Sequence, residues 1–239
     1  MDTVKLYGKK SKIIAHRGVS GLECENTNAA FVAAGNRSYF GIETDVHVTR
    51  DGKYIIIHDD NTKRVSRVDL NVEKSRYKRL KKLRLYDKID NRQRSDLVLP
   101  DLTDYIRICK KYEKTAVLEL KNPMSEKDIL GIIGEVSGEA YLEHTIFISF
   151  DWENMVKVKK NLPEQKVQFL TSKYDDGLID KLKEYKMDLD IEYHAVTKEL
   201  VEKLHENGIE INCWTCDKKE DAEKLIEYGV DYITSNILE

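Results

Sequence analysis

The feature that most limits the fold of this chain is a regular alternation. Short runs rich in Ile and Val, at residues 12–16, 41–47, 115–121, 145–150, 166–171, 188–192, 210–215 and 231–235, are separated by stretches with helical periodicity. Those stretches include 101–112, 126–136, 152–161, 197–206 and 218–228, and a further helix is expected over 27–34 with Asn26 as its N-cap. Buried parallel strands read as near-continuous apolar runs because both of their faces are covered. Eight such strands with intervening helices fit a closed TIM (β/α)8 barrel, although a doubly wound sheet would alternate in the same way. With 239 residues, 41% of them hydrophobic, the chain is long enough for one such core, and residues 1–239 are read as a single domain.

One segment breaks the rhythm. After the second run, Thr49-Arg50-Asp51-Gly52-Lys53 leads into Tyr54-Ile55-Ile56-Ile57-His58. Asp-Gly between two β-rich runs signals a hairpin with a two-residue type I′ turn. That register would place Thr49 opposite Tyr54, His47 opposite Ile56 and Asp45 opposite His58, with Glu43, Asp45 and His58 on one face. The following stretch, roughly 60–100, then reads as an insertion before the next barrel helix. Between residues 60 and 94 it carries thirteen basic residues against five acids, a net of +8 in a chain whose formal charge is -3. Two readings stand for it: a solvated surface excursion, or a field that steers anionic substrates to the barrel mouth.

The overall charge and a pI near 6.1 give no sign of a nucleic-acid partner. No apolar run approaches the roughly 18 residues that a spanning helix needs, so no stable membrane insertion is expected. The polar start, Met1-Asp2-Thr3-Val4-Lys5-Leu6, lacks the apolar core of a signal peptide, and a cytoplasmic location is the expectation. Cys213-Trp214-Thr215-Cys216 has the form of a redox or zinc pair. It follows a strand-like run, however, so alternation would send the two thiols to opposite faces, and no second pair completes a zinc set.

Chemistry-bearing residues gather at the strand ends. His16 closes the first run, Glu43 and Asp45 lie in the second, Glu119 ends the third with Lys121 close behind, and His58 is folded back by the hairpin. Active sites of (β/α) barrels lie at the C-terminal ends of the strands. Three carboxylates on apolar strands would repel one another in a core unless a cation neutralised them, and all-oxygen ligation suits Mg²⁺ or Ca²⁺ better than Zn²⁺. His47, His144, His194 and His205 have no comparable company and are read as structural or surface residues.

Taken in order, His16-Arg17-Gly18, Glu25-Asn26-Thr27, Glu43-Thr44-Asp45-Val46, Thr49-x-Asp51-Gly52, His58-Asp59, Glu119-x-Lys121, Ser149-Phe150 and Trp214-Thr215 resemble the glycerophosphodiester phosphodiesterase family from residue 13 to about residue 234. The resemblance implies a TIM barrel with an insertion after the hairpin. It implies hydrolysis of a small-molecule glycerophosphodiester to glycerol 3-phosphate and an alcohol. His16 and His58 would be the acid–base pair, and Glu43, Asp45 and Glu119 would hold Mg²⁺ or Ca²⁺. Arg17 and Lys121 would contact the phosphate, and Trp214 would line the pocket near the glycerol. Cys24 stands where the family commonly has proline, and Ser235 follows Thr234 where an aspartate is common. Phospholipase-type barrels acting on lipids, and a non-catalytic barrel that binds metal or phosphodiester, are the competing readings. Whether copies of the chain form a homo-oligomer is left open by the sequence.

Overall fold

The computed structural model describes residues 2–7, 10–175 and 177–239. Its strands are β1 (Lys12–Ala15), β2 (Gly41–Val48), β3 (Tyr54–Ile56), β4 (Thr115–Leu120), β5 (Thr145–Ser149), β6 (Val167–Thr171), β7 (Asp188–Glu192), β8 (Ile211–Trp214) and β9 (Tyr232–Ser235). Its helices are α1 (Asn28–Gly35), α2 (Tyr77–Leu80), α3 (Leu102–Lys111), α4 (Glu126–Gly138), α5 (Trp152–Asn161), α6 (Leu178–Tyr185), α7 (Lys198–Glu206) and α8 (Lys219–Tyr228). The strands run in the order β1-β9-β8-β7-β6-β5-β4-β2, all parallel, and β1 pairs with β2 to close an eight-stranded ring. The alternation therefore resolves as a barrel. β3 lies outside the ring, antiparallel to β2.

The apolar runs divide by strand period. One set of side chains, including Ala15, Val46, Leu118, Phe147 and Ile191, packs outward under the helices. The other set, Ile14, Val117, Ile146, Ile148, Leu170 and Tyr232, fills the barrel interior. Several helices begin on a side-chain cap close behind a strand end: Ser125, Asp151 and Thr197 accept from the backbone N–H of Asp128, Asn154 and Leu200. The cap of α1 is Thr27, which accepts from Ala30, rather than Asn26. Asn26 is at φ 53°, a left-handed conformation that frees its amide to reach into the barrel mouth.

The hairpin register differs by one from the expectation. Val48 pairs with Tyr54, His47 with Ile55 and Val46 with Ile56. Thr49 N–H donates to the Lys53 carbonyl, Gly52 N–H donates to the Thr49 carbonyl, and Gly52 alone takes positive φ, at 68°. This is a three-residue loop ending in a left-handed glycine. Asp51 stays out of the left-handed region because its Oδ1 is held by Thr49 Oγ1 and by the Tyr77 N–H of α2. Ile57, not His58, then faces Asp45, its N–H donating to the Asp45 carbonyl. His58 reaches the site from the chain just beyond the ladder.

Residues 57–100 do not form a solvated excursion. Val65, Leu70, Val72, Leu80, Leu83, Leu85, Leu97 and Leu99 bury one another against Ile55, Ile57 and Cys24, a small separate core seated on the barrel mouth. Cys213 and Cys216 also depart from the expectation of opposite faces. Cys216 lies past the end of β8, and both thiols are unpaired and buried in the outer core. Among the described residues, no helix is long and apolar enough to cross a membrane.

Candidate active site

His16, Arg17 and Gly18 follow directly on β1. Arg17 takes φ 52° and Gly18 φ 74°, and a Cβ on Gly18 would meet the Ala30 backbone at 2.7 Å, so this turn can pass α1 only as glycine. The turn aims the Arg17 N–H at Glu43 Oε2, 2.8 Å away. Glu43 and Asp45 point inward from β2, and the strand register sets Asp45 beside Glu119 of β4. One oxygen from each of the three carboxylates lies within 4.8 Å of the others, and all three residues are buried.

Two cations compensate the trio in part. Lys121 Nζ lies 2.7 Å from Glu119 Oε1 and 3.6 Å from Asp45 Oδ1, and Arg17 Nε lies 3.6 Å from Asp45 Oδ2. Burial, then the charges of Asp45 and Glu119, push the Glu43 carboxyl well above its ordinary value. Burial and Asp45 push Glu119 up to about 8. Burial also opposes ionisation of Asp45, yet Arg17 and Lys121 hold its carboxyl well below the usual range. Asp45 Oδ1 has no hydrogen-bond donor among the described residues. A buried, unsatisfied carboxylate oxygen between two carboxyls that resist ionisation is the environment a hard divalent cation relieves, so the residues present fit such an ion.

The two imidazoles have different supports. His16 Nδ1 is 2.8 Å from Asn236 Oδ1. Asn236 Nδ2 donates to Asp217, so its oxygen faces the ring and His16 carries its proton on Nδ1, leaving the Nε2 lone pair 4.0 Å from Glu43. Burial, then the Arg17 charge, lowers the His16 pKa to about 4. His58 Nδ1 is instead 2.7 Å from Asp59 Oδ1, a carboxylate held down to about 2 by its bonds to Arg64 and then His58. Burial lowers His58 as well, while Asp45 and Asp59 oppose the shift.

Both histidines, Arg17, Glu43, Glu119 and Trp214 line one cavity of about 110 Å³, with Ile148, Phe150, Leu170, Asp190, Thr215 and Thr234 completing the wall. The Trp214 and Phe150 rings meet edge to face at 5.4 Å. A more open groove of about 310 Å³ continues from Glu119 and Phe150 over Lys121, Asn122 and Asp151. A larger cleft, about 590 Å³, opens at the other end of the barrel around Lys12, Phe40 and Tyr232, where the paired histidines and the carboxylate trio are absent.

The eight expected site residues thus surround one end of the barrel. Sequence reasoning missed their supports. Glu25 bridges Arg17 and Arg64, and Asn26 donates to Asp45 Oδ2 at 2.7 Å while accepting from Thr44. Asn26 was expected only as a helix cap, although both residues sit in the ordered motif set. Arg64, hidden in a basic run, also grips Asp59. His47 is fully buried, its Nδ1 3.0 Å from Glu73 of the insertion and its Nε2 3.3 Å from the His58 carbonyl. Where the family commonly has an aspartate, Ser235 donates instead to Asp217, which also receives the Asn236 amide.

This arrangement has relatives. Residues 16–238 match the model of the glycerophosphoryl diester phosphodiesterase family. A glycerophosphodiester phosphodiesterase of Caldanaerobacter subterraneus subsp. tengcongensis is 31% identical over 239 residues, covering 95% of this chain and 94% of that one. A lysophospholipase D of Homo sapiens is 40% identical over a shorter span of 67 residues, 28% of this chain and 21% of that protein. Among solved structures, an Oleispira antarctica phosphodiesterase in complex with the product sn-glycerol-3-phosphate superposes with a TM-score of 0.85 at 26% identity, covering 98% and 96% of the two chains. The closed barrel, its capping insertion and these matches over nearly the whole length lead to one assignment: the chain belongs to the glycerophosphoryl diester phosphodiesterase family.

Proposed function

We propose that this enzyme hydrolyses glycerophosphodiesters to glycerol 3-phosphate and an alcohol, with His16 as general base, His58 as general acid and a divalent metal, Mg²⁺ or Ca²⁺, on Glu43, Asp45 and Glu119. The observation that carries the assignment of roles is the contrast between the groups behind the two rings. A neutral amide holds His16 with its Nε2 lone pair free, which suits removal of a proton from the attacking hydroxyl. A carboxylate behind His58 favours the imidazolium, which suits protonation of the departing alkoxide. Arg17 and Lys121 stand where they can offset charge on the phosphate oxygens, Arg17 as a fork and Lys121 as a point charge. When bound, the metal would act as a Lewis acid toward those oxygens. Trp214 and Phe150 provide an apolar wall for the carbon skeleton of the glycerol. Four buried, unpaired cysteines suit the reducing interior of a cell, in line with a cytoplasmic enzyme.

The test is release of glycerol 3-phosphate from a panel of glycerophosphodiesters, with EDTA and with Mg²⁺ or Ca²⁺ restored. Release that EDTA abolishes and metal restores is expected, and its rates rank the head groups. Full activity in EDTA removes the metal from the reading.

A lipid substrate is the second reading, favoured by the lysophospholipase D relative and by Ile89, 90% exposed on the basic insertion. Tight binding to anionic vesicles at physiological salt would support it.

A further inference from the structure

Inside the barrel, beside the apolar residues and apart from the carboxylate trio of β2 and β4, four neighbouring strands each contribute a buried polar side chain. These are Gln168 of β6, Asp190 of β7, Asn212 of β8 and Thr234 of β9. The four form a hydrogen-bonded chain. Thr234 Oγ1 donates to Asn212 Oδ1 at 3.2 Å, and Asn212 Nδ2 donates to Asp190 Oδ2 at 3.1 Å and to Gln168 Oε1 at 3.2 Å. The chain stops short of completion. Asp190 is 2% exposed, yet among the described residues its Oδ1 has no partner, and the Trp214 Nε1–H on the neighbouring strand is equally unpaired.

A buried carboxyl oxygen without a hydrogen bond is destabilising. Nothing in the packing calls for an acid at this place, since Leu170 is its register partner on β6 and Ile148 lies on the same cavity wall. Asp190 touches no residue of the proposed metal set by hydrogen bond, so the carboxylate trio does not explain it either. Asp190 does line the 110 Å³ cavity, on the β7–β8 side, together with Trp214. Burial, then the charge of Glu119, pushes its carboxyl well above the ordinary value. A ligand hydroxyl can both donate and accept, so it matches Asp190 Oδ1 in either protonation state and can accept from Trp214 at the same time. A phosphate oxygen, which only accepts, is held better at the end of the cavity where Arg17 stands.

We propose that Asp190 is a specificity-determining residue, its unpartnered Oδ1 taking a hydroxyl of the substrate's glycerol on the β7–β8 side of the cavity. The inference rests on the phosphodiesterase reading above and adds a reason for the site to prefer a hydroxylated moiety. A site built to bond a hydroxyl discriminates against analogues that lack it, because the buried polar groups are then left unpaired.

The experiment compares glycerophosphocholine with bis(p-nitrophenyl) phosphate, a diester without hydroxyls, for wild type, Asp190→Leu and Asp190→Asn. Glycerol 3-phosphate binding is followed by calorimetry, and thermal melts check folding. Asp190→Leu is expected to lower the ratio of kcat/KM for the two substrates by about tenfold or more, equivalent to about 1.4 kcal/mol. The change should lie mainly in KM, with glycerol 3-phosphate affinity falling in parallel. Asp190→Asn, which keeps a polar head, should hold the ratio within about threefold of wild type. An unchanged ratio together with unchanged product affinity in Asp190→Leu, or in Asp190→Ala if the leucine variant does not fold, overturns the inference and leaves the phosphodiesterase reading standing. Wild type that cleaves bis(p-nitrophenyl) phosphate but no glycerophosphodiester overturns both.

Discussion

His58 and Asp59 are neighbours in sequence, and their side chains make the 2.7 Å contact on which the proposed acid depends. Asp59, held down to about 2 by Arg64 first and His58 second, stays ionised at every working pH. It therefore favours the protonated ring. Removing it in Asp59→Asn lowers the pH at which His58 loses its proton, so the alkaline limb of kcat/KM moves toward acid. The expected outcome is a loss that grows with pH and reaches about tenfold or more above pH 8, read from a pH–rate profile. A uniform loss across the profile would assign Asp59 a purely structural part. The support of His16 was harder to read from sequence. Asn236 and Asp217 come from the far end of the chain, and only closure of the ring through β9 and β1 brings them to the first strand. Residue types single out His16, Glu43, Asp45, His58 and Glu119, which the fold brings to one end of the barrel, whereas the partners that orient them are set by three-dimensional neighbours.

Among the elements, the insertion contributes most beyond the ring. Its Arg64 reaches back over the mouth to Glu25 and Asp59, and its Glu73 bonds His47 and Asn122, tying the segment to β2 and to the loop after β4. The basic count alone pointed to a solvated surface or a steering field. What that count hid was the leucine spacing that builds a separate small core, and the pairing of particular charges inside the run. The hairpin shows the same limit. Asp51-Gly52 was correctly a turn, but the type of turn was decided by Tyr77 of α2 engaging Asp51, a tertiary contact no local rule contains. The clamp has a pH signature. Arg64 and other partners lower Asp59 below 3.8 and Glu25 below 4.5, despite the burial that opposes ionisation of Glu25. Groups depressed in the folded state contribute stability that is complete above their unfolded values and is lost as pH falls through the folded ones. The contribution is thus present above about pH 4.5 and fades toward about pH 2. Arg64→Leu should therefore lower Tm at pH 7 and narrow the difference in Tm between pH 7 and pH 3.5. An equal drop at both pH values would mean that the arginine acts through packing of its stem alone.

Across the whole molecule, the alternation of apolar runs was enough to anticipate eight barrel strands to within a residue or two, because buried parallel strands leave a strong and local signature. The barrel's interior polarity was not legible in that way, since Gln168, Asp190, Asn212 and Thr234 are each unremarkable in sequence and form a chain only across four strands. The same interior sets the balance between stability and function. Glu43, Asp45 and Glu119 sit in a core that would be more stable without their charge, with Arg17 and Lys121 compensating only part of it. If a divalent cation completes the compensation, it binds the folded state alone and stabilises it by about 2.7 kcal/mol at one hundred times its Kd. For a chain of this size, about 2–4 °C per kcal/mol then predicts a rise in Tm of roughly 5–10 °C on adding saturating Mg²⁺ or Ca²⁺, reversed by EDTA. Glu43→Gln should behave in the opposite sense. It removes a buried carboxyl that resists ionisation, so its Tm in EDTA should equal or exceed that of wild type, while its response to metal and its turnover are lost. A wild-type melt that is the same in EDTA and in either metal would mean that the two cationic side chains already suffice, and the trio would then need another explanation than metal binding.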